Sequence, residues 1–295
     1  FIALGLLIFL LNGSLKAWRW QVLLSPQPEN EPSLRYSAVF RAIWLGQMIN
    51  SILPFLRLGE IGRAYAINQQ TGYSKVQAIG TMLIEKSIEL ILLGLTVLLL
   101  LPFAVLPAVA EQLGLGLALA AGVFLVGMAL VTTQTERVIG LVQRVIQPLP
   151  AALEGWVSRR LLAGLNGLAA LRHGRSLQKI GLSSILITSL DIALPYTLFF
   201  AFALPLSFSV AVLINVAVAL VTTPPTAPGE LGIFEAAVFF VLAQVGQTEV
   251  LGTAVIFSYA LVFHLCTLLP KLTLGSLAAV QTKWSWRSLN APAAS

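Results

Sequence analysis

The chain has 295 residues, of which 57% are apolar and 10% charged, and its mean hydropathy is +0.88. A soluble domain carries about a quarter charged residues, so 18 Lys and Arg with 12 Asp and Glu cannot clothe a globular surface of this size. The apolar runs are also too long and unbroken for the short alternating strands of a β-barrel, which leaves an all-α, polytopic membrane protein.

The single Cys266 excludes an internal disulfide. The two histidines, His173 and His264, are far apart and show no metal-ligand spacing. No cofactor, metal or nucleic-acid partner is expected. The net charge of +6 says less than its distribution, because Lys and Arg collect in cytoplasmic loops.

The opening "FIALGLLIFLLNG" has neither Met nor a basic region, so it is not a secretory signal, and the expected start lies upstream of Phe1. Residues 1–17 are predicted to run from outside to inside, ending where Lys16, Arg19, Arg35 and Arg41 begin. Trp18, Trp20, Trp284 and Trp286 sit beside basic residues and read as interface anchors. Residues 75–102 run outward, the linker "PFAVLPAVAEQLG" carries only Glu111, and 113–133 return. In 136–175, Val138, Leu141, Val142, Val145 and Leu149 recur at helical spacing between Arg137, Gln143, Arg144 and Gln147, which predicts a cytoplasmic amphipathic helix. Residues 180–203 cross outward. No Lys or Arg then appears between Lys179 and Lys271, where the span predicted at 251–270 ends.

Two segments remain, 36–68 and 207–246. Each must start and end on one side, the first cytoplasmic and the second external, so each is predicted to be a re-entrant helical hairpin. Their middles match. "PFLRLGEIG" carries Pro54 and Gly59-Glu60-Ile61-Gly62, and "PPTAPGELG" carries Pro224, Pro225, Pro228 and Gly229-Glu230-Leu231-Gly232. Three predicted spans separate them, and an odd number of crossings inverts the second against the first. Inverted repeats with helices broken near the midplane point to a transporter site, since unpaired backbone at membrane depth survives only where it is buried in protein or lines a cavity. If the second arm starts at about Gly229, Glu230 complements its dipole. A Pro-kinked helix with a chance motif match is the plainer alternative. The whole chain, 1–295, reads as one transmembrane domain: a first repeat at about 36–102, the amphipathic segment at about 136–175 and a second repeat at about 207–270.

Charged residues fall inside these segments. Arg57, Glu60 and Arg63 lie at i, i+3 and i+6, and Glu85, Lys86 and Glu89 sit well into the third apolar run. Asp191 lies inside its span, and Glu230 and Glu235 flank the second break. A charge at mid-bilayer costs about 2.5–3.5 kcal/mol. Nine such groups facing lipid would cost on the order of 20 kcal/mol or more, above the stability of a typical fold. They must face each other or a wet cavity, either as ion pairs that glue the bundle or as a substrate site. Arg57, Arg63 and Lys86 form a potential phosphate clamp, with arginine supplying a planar fork. The six acids could balance these cations, carry protons or meet a cationic headgroup. His264 is more commonly a packed residue than a proton relay.

These residues resemble a known family, the flippase-like membrane region of the lysylphosphatidylglycerol synthases and its stand-alone relatives. The resemblance rests on "KAWRWQVLL", on Pro54-x-x-Arg57-x-Gly59-Glu60-x-x-Arg63, on Glu85-Lys86 with Glu89, and on Pro228-Gly229-x-x-Gly232-x-x-Glu235. In that pattern Arg is commoner where Lys86 stands and Asp where Glu89 stands. Both changes keep the charge and alter its geometry. The resemblance covers the membrane region and implies none of the lysine transfer performed by the soluble domain of the full synthases. It implies a further helix ahead of residue 1 and movement of a phospholipid or lipid-linked substrate between leaflets of the plasma (inner) membrane. A scaffold or regulator of cell-envelope synthesis, acting as a homo-oligomer or with an envelope enzyme, is the second reading. An enzyme acting on a lipid headgroup is the third, against which stands the lack of H-E-x-x-H, P-loop or metal-ligand motifs.

Overall fold

The computed structural model describes residues 1–24, 34–54, 58–100, 174–224, 227–245, 251–282 and 284, and all structural statements concern these residues. Their regular structure is entirely helical. In chain order the elements are α1 (Ile2–Leu24), α2 (Tyr36–Ile52), α3 (Leu58–Thr71), α4 (Lys75–Leu100), α5 (Gly174–Ala201), α6 (Phe208–Thr222), a 3-10 turn (Pro228–Glu230), α7 (Ile233–Gln244) and α8 (Thr253–Gln281). The span predicted at 113–133 and nearly all of the amphipathic segment lie outside the described residues.

Three helices, α1, α5 and α8, are long and apolar enough to cross a membrane. Each is longer than its predicted span, α1 running past residue 17 and α8 past residue 270. Hydropathy registers only the hydrocarbon slab. The backbone ladder continues beyond it, carrying Lys16, Arg19 and Lys271 within helices where the sequence reading placed loop boundaries. Helix α4 has 26 residues but carries Glu85, Lys86 and Glu89.

The remaining helices are short and paired. α2 packs against α3, and α6 against α7. They have 17, 14, 15 and 12 residues, each fewer than the about 20 that span a bilayer. Close backbone approach fixes the first pair. A Cβ on Gly59 would run into the carbonyl oxygen of Gly46 and the side chain of Asn50, and one on Gly46 would strike the Arg63 side chain.

The shared Gly-Glu-aliphatic-Gly motif takes two conformations. Gly59–Gly62 forms the first turns of α3, where Asn50 Oδ1 accepts the Gly59 N–H at 2.8 Å. Gly229–Gly232 precedes α7 instead. Gly229, Glu230 and Gly232 all adopt positive φ (67°, 59° and 81°), and this left-handed backbone excludes a continuous helix. The second arm therefore starts at Ile233, later than the expected Gly229. Its dipole is met by Glu235, whose Oε2 accepts the Gly232 N–H at 2.8 Å, in the place predicted for Glu230.

Two large apolar cores result. One joins the C-terminal part of α1 to α2, α3 and α4. The other joins α5, α6, α7 and the first half of α8. α1, α5 and α8 contribute to both, with Ala17, Ile180 and Ala278 in the first and Ile8, Leu198 and Tyr259 in the second. The 3-10 turn reaches across to pack on α2.

Candidate functional site: a charged cavity between the helix pairs

A cavity of about 500 Å³ opens between the two cores, lined by residues of α1 to α8 and the 3-10 turn. Of the nine residues predicted to bind substrate, Glu60, Arg63, Glu85, Lys86, Glu89, Asp191 and Glu230 line it. Arg57 lies outside the described residues, as does Pro225 at the second break. Glu235 does not line the cavity. Of the predicted break residues, Pro54 and Pro224 line it, while Gly59, Gly62, Pro228, Gly229 and Gly232 shape the adjoining turns.

The buried end of the site is an ion network. Arg63 Nη2 donates to Glu85 Oε2 at 2.7 Å, not to Glu60 as the alternating stripe suggested. Arg19 Nη2 donates to Glu85 Oε1 at 3.1 Å and to Glu89 Oε1 at 2.8 Å, while its Nη1 reaches Ser184 Oγ at 3.2 Å. Lys86 Nζ completes the chain at 2.8 Å from Glu89 Oε2. Three cations thus alternate with two carboxylates. The Arg19 side chain at the centre of the network is fully enclosed, that of Arg63 at one end is 11% exposed, and that of Lys86 at the other is 49% exposed. The enclosed centre acts as a strut, and the open Lys86 end can meet a ligand. The Arg63 guanidinium also lies 4.2 Å above the Trp20 ring. Among the described residues its Nε finds no acceptor, and neither does that of Arg19.

Other walls carry their own polar groups. Asp191 accepts from Asn12 Nδ2 at 2.9 Å and lies 3.7 Å from Lys16 Nζ. Glu60 accepts from Asn50 Nδ2 at 3.3 Å and, among the described residues, has no ion-pair partner. Glu230 faces Lys271 Nζ at 3.5 Å. Its left-handed backbone costs a non-glycine residue about 1–3 kcal/mol, which suits a residue held by its surroundings. Phe9, Leu93, Leu194, Val218 and Phe263 supply an apolar wall.

Sequence reasoning missed Lys16, Arg19, Asn12 and Lys271 as site residues, having taken the basic ones for loop markers. Their spacing held the signal. Asn12, Lys16 and Arg19 lie at i, i+4 and i+7, one face of a helix. Trp20, expected at an interface, is fully buried and donates from Nε1 to Thr81 Oγ1 at 3.0 Å, because it forms the floor beneath Arg63.

These features define a membrane protein whose described residues are helical and whose charged cavity is lined by both pairs of short helices and the longer helices around them. The sequence model of the family described as "Lysylphosphatidylglycerol synthase TM region" matches residues 1–275, and the chain belongs to that family. Comparison with curated proteins and with solved structures found no match.

Proposed function

We propose that this protein moves an anionic phospholipid or lipid-linked substrate between the leaflets of the plasma (inner) membrane as a multi-pass flippase, without altering it chemically. The observation that carries this reading is the cavity. It sets a graded cationic network beside an apolar wall, which matches a phosphate headgroup joined to acyl chains. Arg63, whose Nε has no acceptor among the described residues, and the open Lys86 are the phosphate ligands. The pairs α2–α3 and α6–α7, too short to span, are read as re-entrant hairpins entering from opposite faces. In that reading the breaks between paired helices lie where irregular backbone is tolerated, beside a cavity.

The test is leaflet redistribution of a labelled lipid in proteoliposomes, with lipid composition followed by mass spectrometry. Redistribution without conversion supports transport. Conversion of the lipid makes the protein a headgroup enzyme. Neither outcome with the folded protein leaves the scaffold reading, in which a second copy or an envelope enzyme is the partner.

A further inference from the structure

Behind the second break lies a buried pair outside the cavity. His264 on α8 is 1% exposed and Glu235 on α7 is 8% exposed, and His264 Nδ1 lies 2.6 Å from Glu235 Oε1. Phe234 stacks on the imidazole, with ring centroids 4.5 Å apart. Among the described residues, His264 Nε2 has no hydrogen-bond partner. Here one nitrogen is committed to a carboxylate and the other is buried and unpaired.

The same carboxylate holds the break. Its second oxygen, Oε2, accepts the Gly232 N–H, and Gly232 ends the left-handed stretch through Gly229 and Glu230. On α8, Thr267 and Lys271 follow His264 at i+3 and i+7 on one helix face, and both line the cavity. Lys271 in turn faces Glu230. Thr267 Oγ1 donates to the His264 carbonyl at 2.8 Å, which ties the pair to the cavity wall.

The helix pairs are tied to their following helices in parallel ways. Arg63–Glu85 joins α3 to α4, and Glu235–His264 joins α7 to α8. The first tie uses an arginine, which keeps its charge at every physiological pH. The second uses a histidine, the side chain that changes charge near neutrality.

We propose that the Glu235–His264 pair is a proton-binding site that couples the second break, and through it lipid movement, to protons. Without the extra proton the pair is a buried carboxylate that accepts from Gly232 and from a neutral imidazole. With it, the pair is an ion pair of zero net charge. The change alters the hold on Gly232, and hence on Glu230 and Lys271. Other charged groups on elements packed against α7 and α8 are engaged elsewhere or distant in bonding. Lys16 faces Asp191, Arg19 is bound to Glu85 and Glu89, and Arg41 on α2 bonds Gln70. Arg175 and Lys179 are exposed at the start of α5, and Glu230 and Lys271 face each other. Among the described residues, Glu235 is the charged group that reaches His264.

The coupling to lipid rests on the transport reading above, whereas proton binding does not, and the experiment separates them. A nitroxide is placed on Leu231→Cys, an exposed position inside the turn, with Cys266 replaced by Ala. Its mobility is followed in vesicles from about pH 5 to pH 8, where imidazole charge changes. The expected result is a one-proton transition that disappears in both His264→Gln and Glu235→Gln and persists in Glu230→Gln. No transition in the parent protein, or one that persists in His264→Gln and Glu235→Gln, overturns the proton site. In proteoliposomes, a gradient of about one pH unit should shift the steady leaflet ratio of labelled lipid by up to about tenfold, and His264→Gln should remove the shift. A leaflet ratio indifferent to the gradient overturns the coupling. A mobility transition without any lipid movement leaves the proton site standing and overturns the transport reading alone.

Discussion

Arg19→Ala tests whether the enclosed centre of the ion network is a strut. Arg19 holds Glu85, Glu89 and Ser184 through three hydrogen bonds and is fully enclosed. Removing one partner of a buried pair costs about 3–5 kcal/mol, because a charge is left without compensation. Here each carboxylate retains one cation, Glu85 keeping Arg63 and Glu89 keeping Lys86, so the loss should fall near the lower end of that range. At about 2–4 °C per kcal/mol for a chain approaching this size, the melting temperature should drop by on the order of 10 °C. Thermal unfolding in lipid nanodiscs, read by tryptophan fluorescence, measures it. Adding Glu85→Gln should recover part of the loss, since the stranded charge is gone, although Arg63 then loses its own partner. If Arg19→Ala unfolds at the parental temperature yet no longer moves lipid, Arg19 is a substrate ligand and the strut assignment fails.

Arg63→Ala should abolish lipid redistribution with a smaller thermal shift than Arg19→Ala, because Arg63 bonds one carboxylate where Arg19 bonds two. Arg63→Lys should retain stability and lose most activity, a point charge replacing a planar fork. Both are measured by flipping and melting on the same samples. Gly59→Ala should destabilise by about 1–3 kcal/mol, the cost of overpacking a tight contact, since its Cβ meets the Gly46 carbonyl; denaturant or thermal unfolding reads this directly. In a Cys266→Ala background, Ser207→Cys should react with an impermeant thiol reagent from outside and Thr71→Cys should not. The reverse pattern would invert the orientation drawn from the Lys and Arg distribution.

Much of the architecture was legible in the sequence for one reason: lipid tolerates few polar groups. Long apolar runs had to be helices, and Glu85, Lys86 and Asp191 within them had to find company. The cavity that collects these three with Glu60, Arg63, Glu89 and Glu230 follows from that constraint. Partner choice was not legible. Arg63 pairs with Glu85, 22 residues away, although Glu60 lies one helical turn from it, because the angle between α3 and α4 decides reach and no local spacing encodes that angle. Arg19 was hidden by a rule that assigns basic residues to loops, which fails when a helix carries its cations inward. Glu235 and His264, 29 positions apart, gave no local sign of meeting. The two Gly-Glu-aliphatic-Gly motifs looked equivalent, but only the second takes left-handed backbone, since Asn50 caps the first into a helix.

Helix α8 belongs to both cores. Ile256, Tyr259 and Phe263 pack in the second, while Gly275 meets Trp44 and Met48 and Ala278 packs in the first. Between these two attachments stands Pro270, which removes the backbone hydrogen bond to the carbonyl of Cys266. A rod bonded firmly at both ends and weakened at one point resists stretching and shear but yields to bending there. Any bend of α8 at this point carries Lys271, one residue on, and with it a part of the cavity wall.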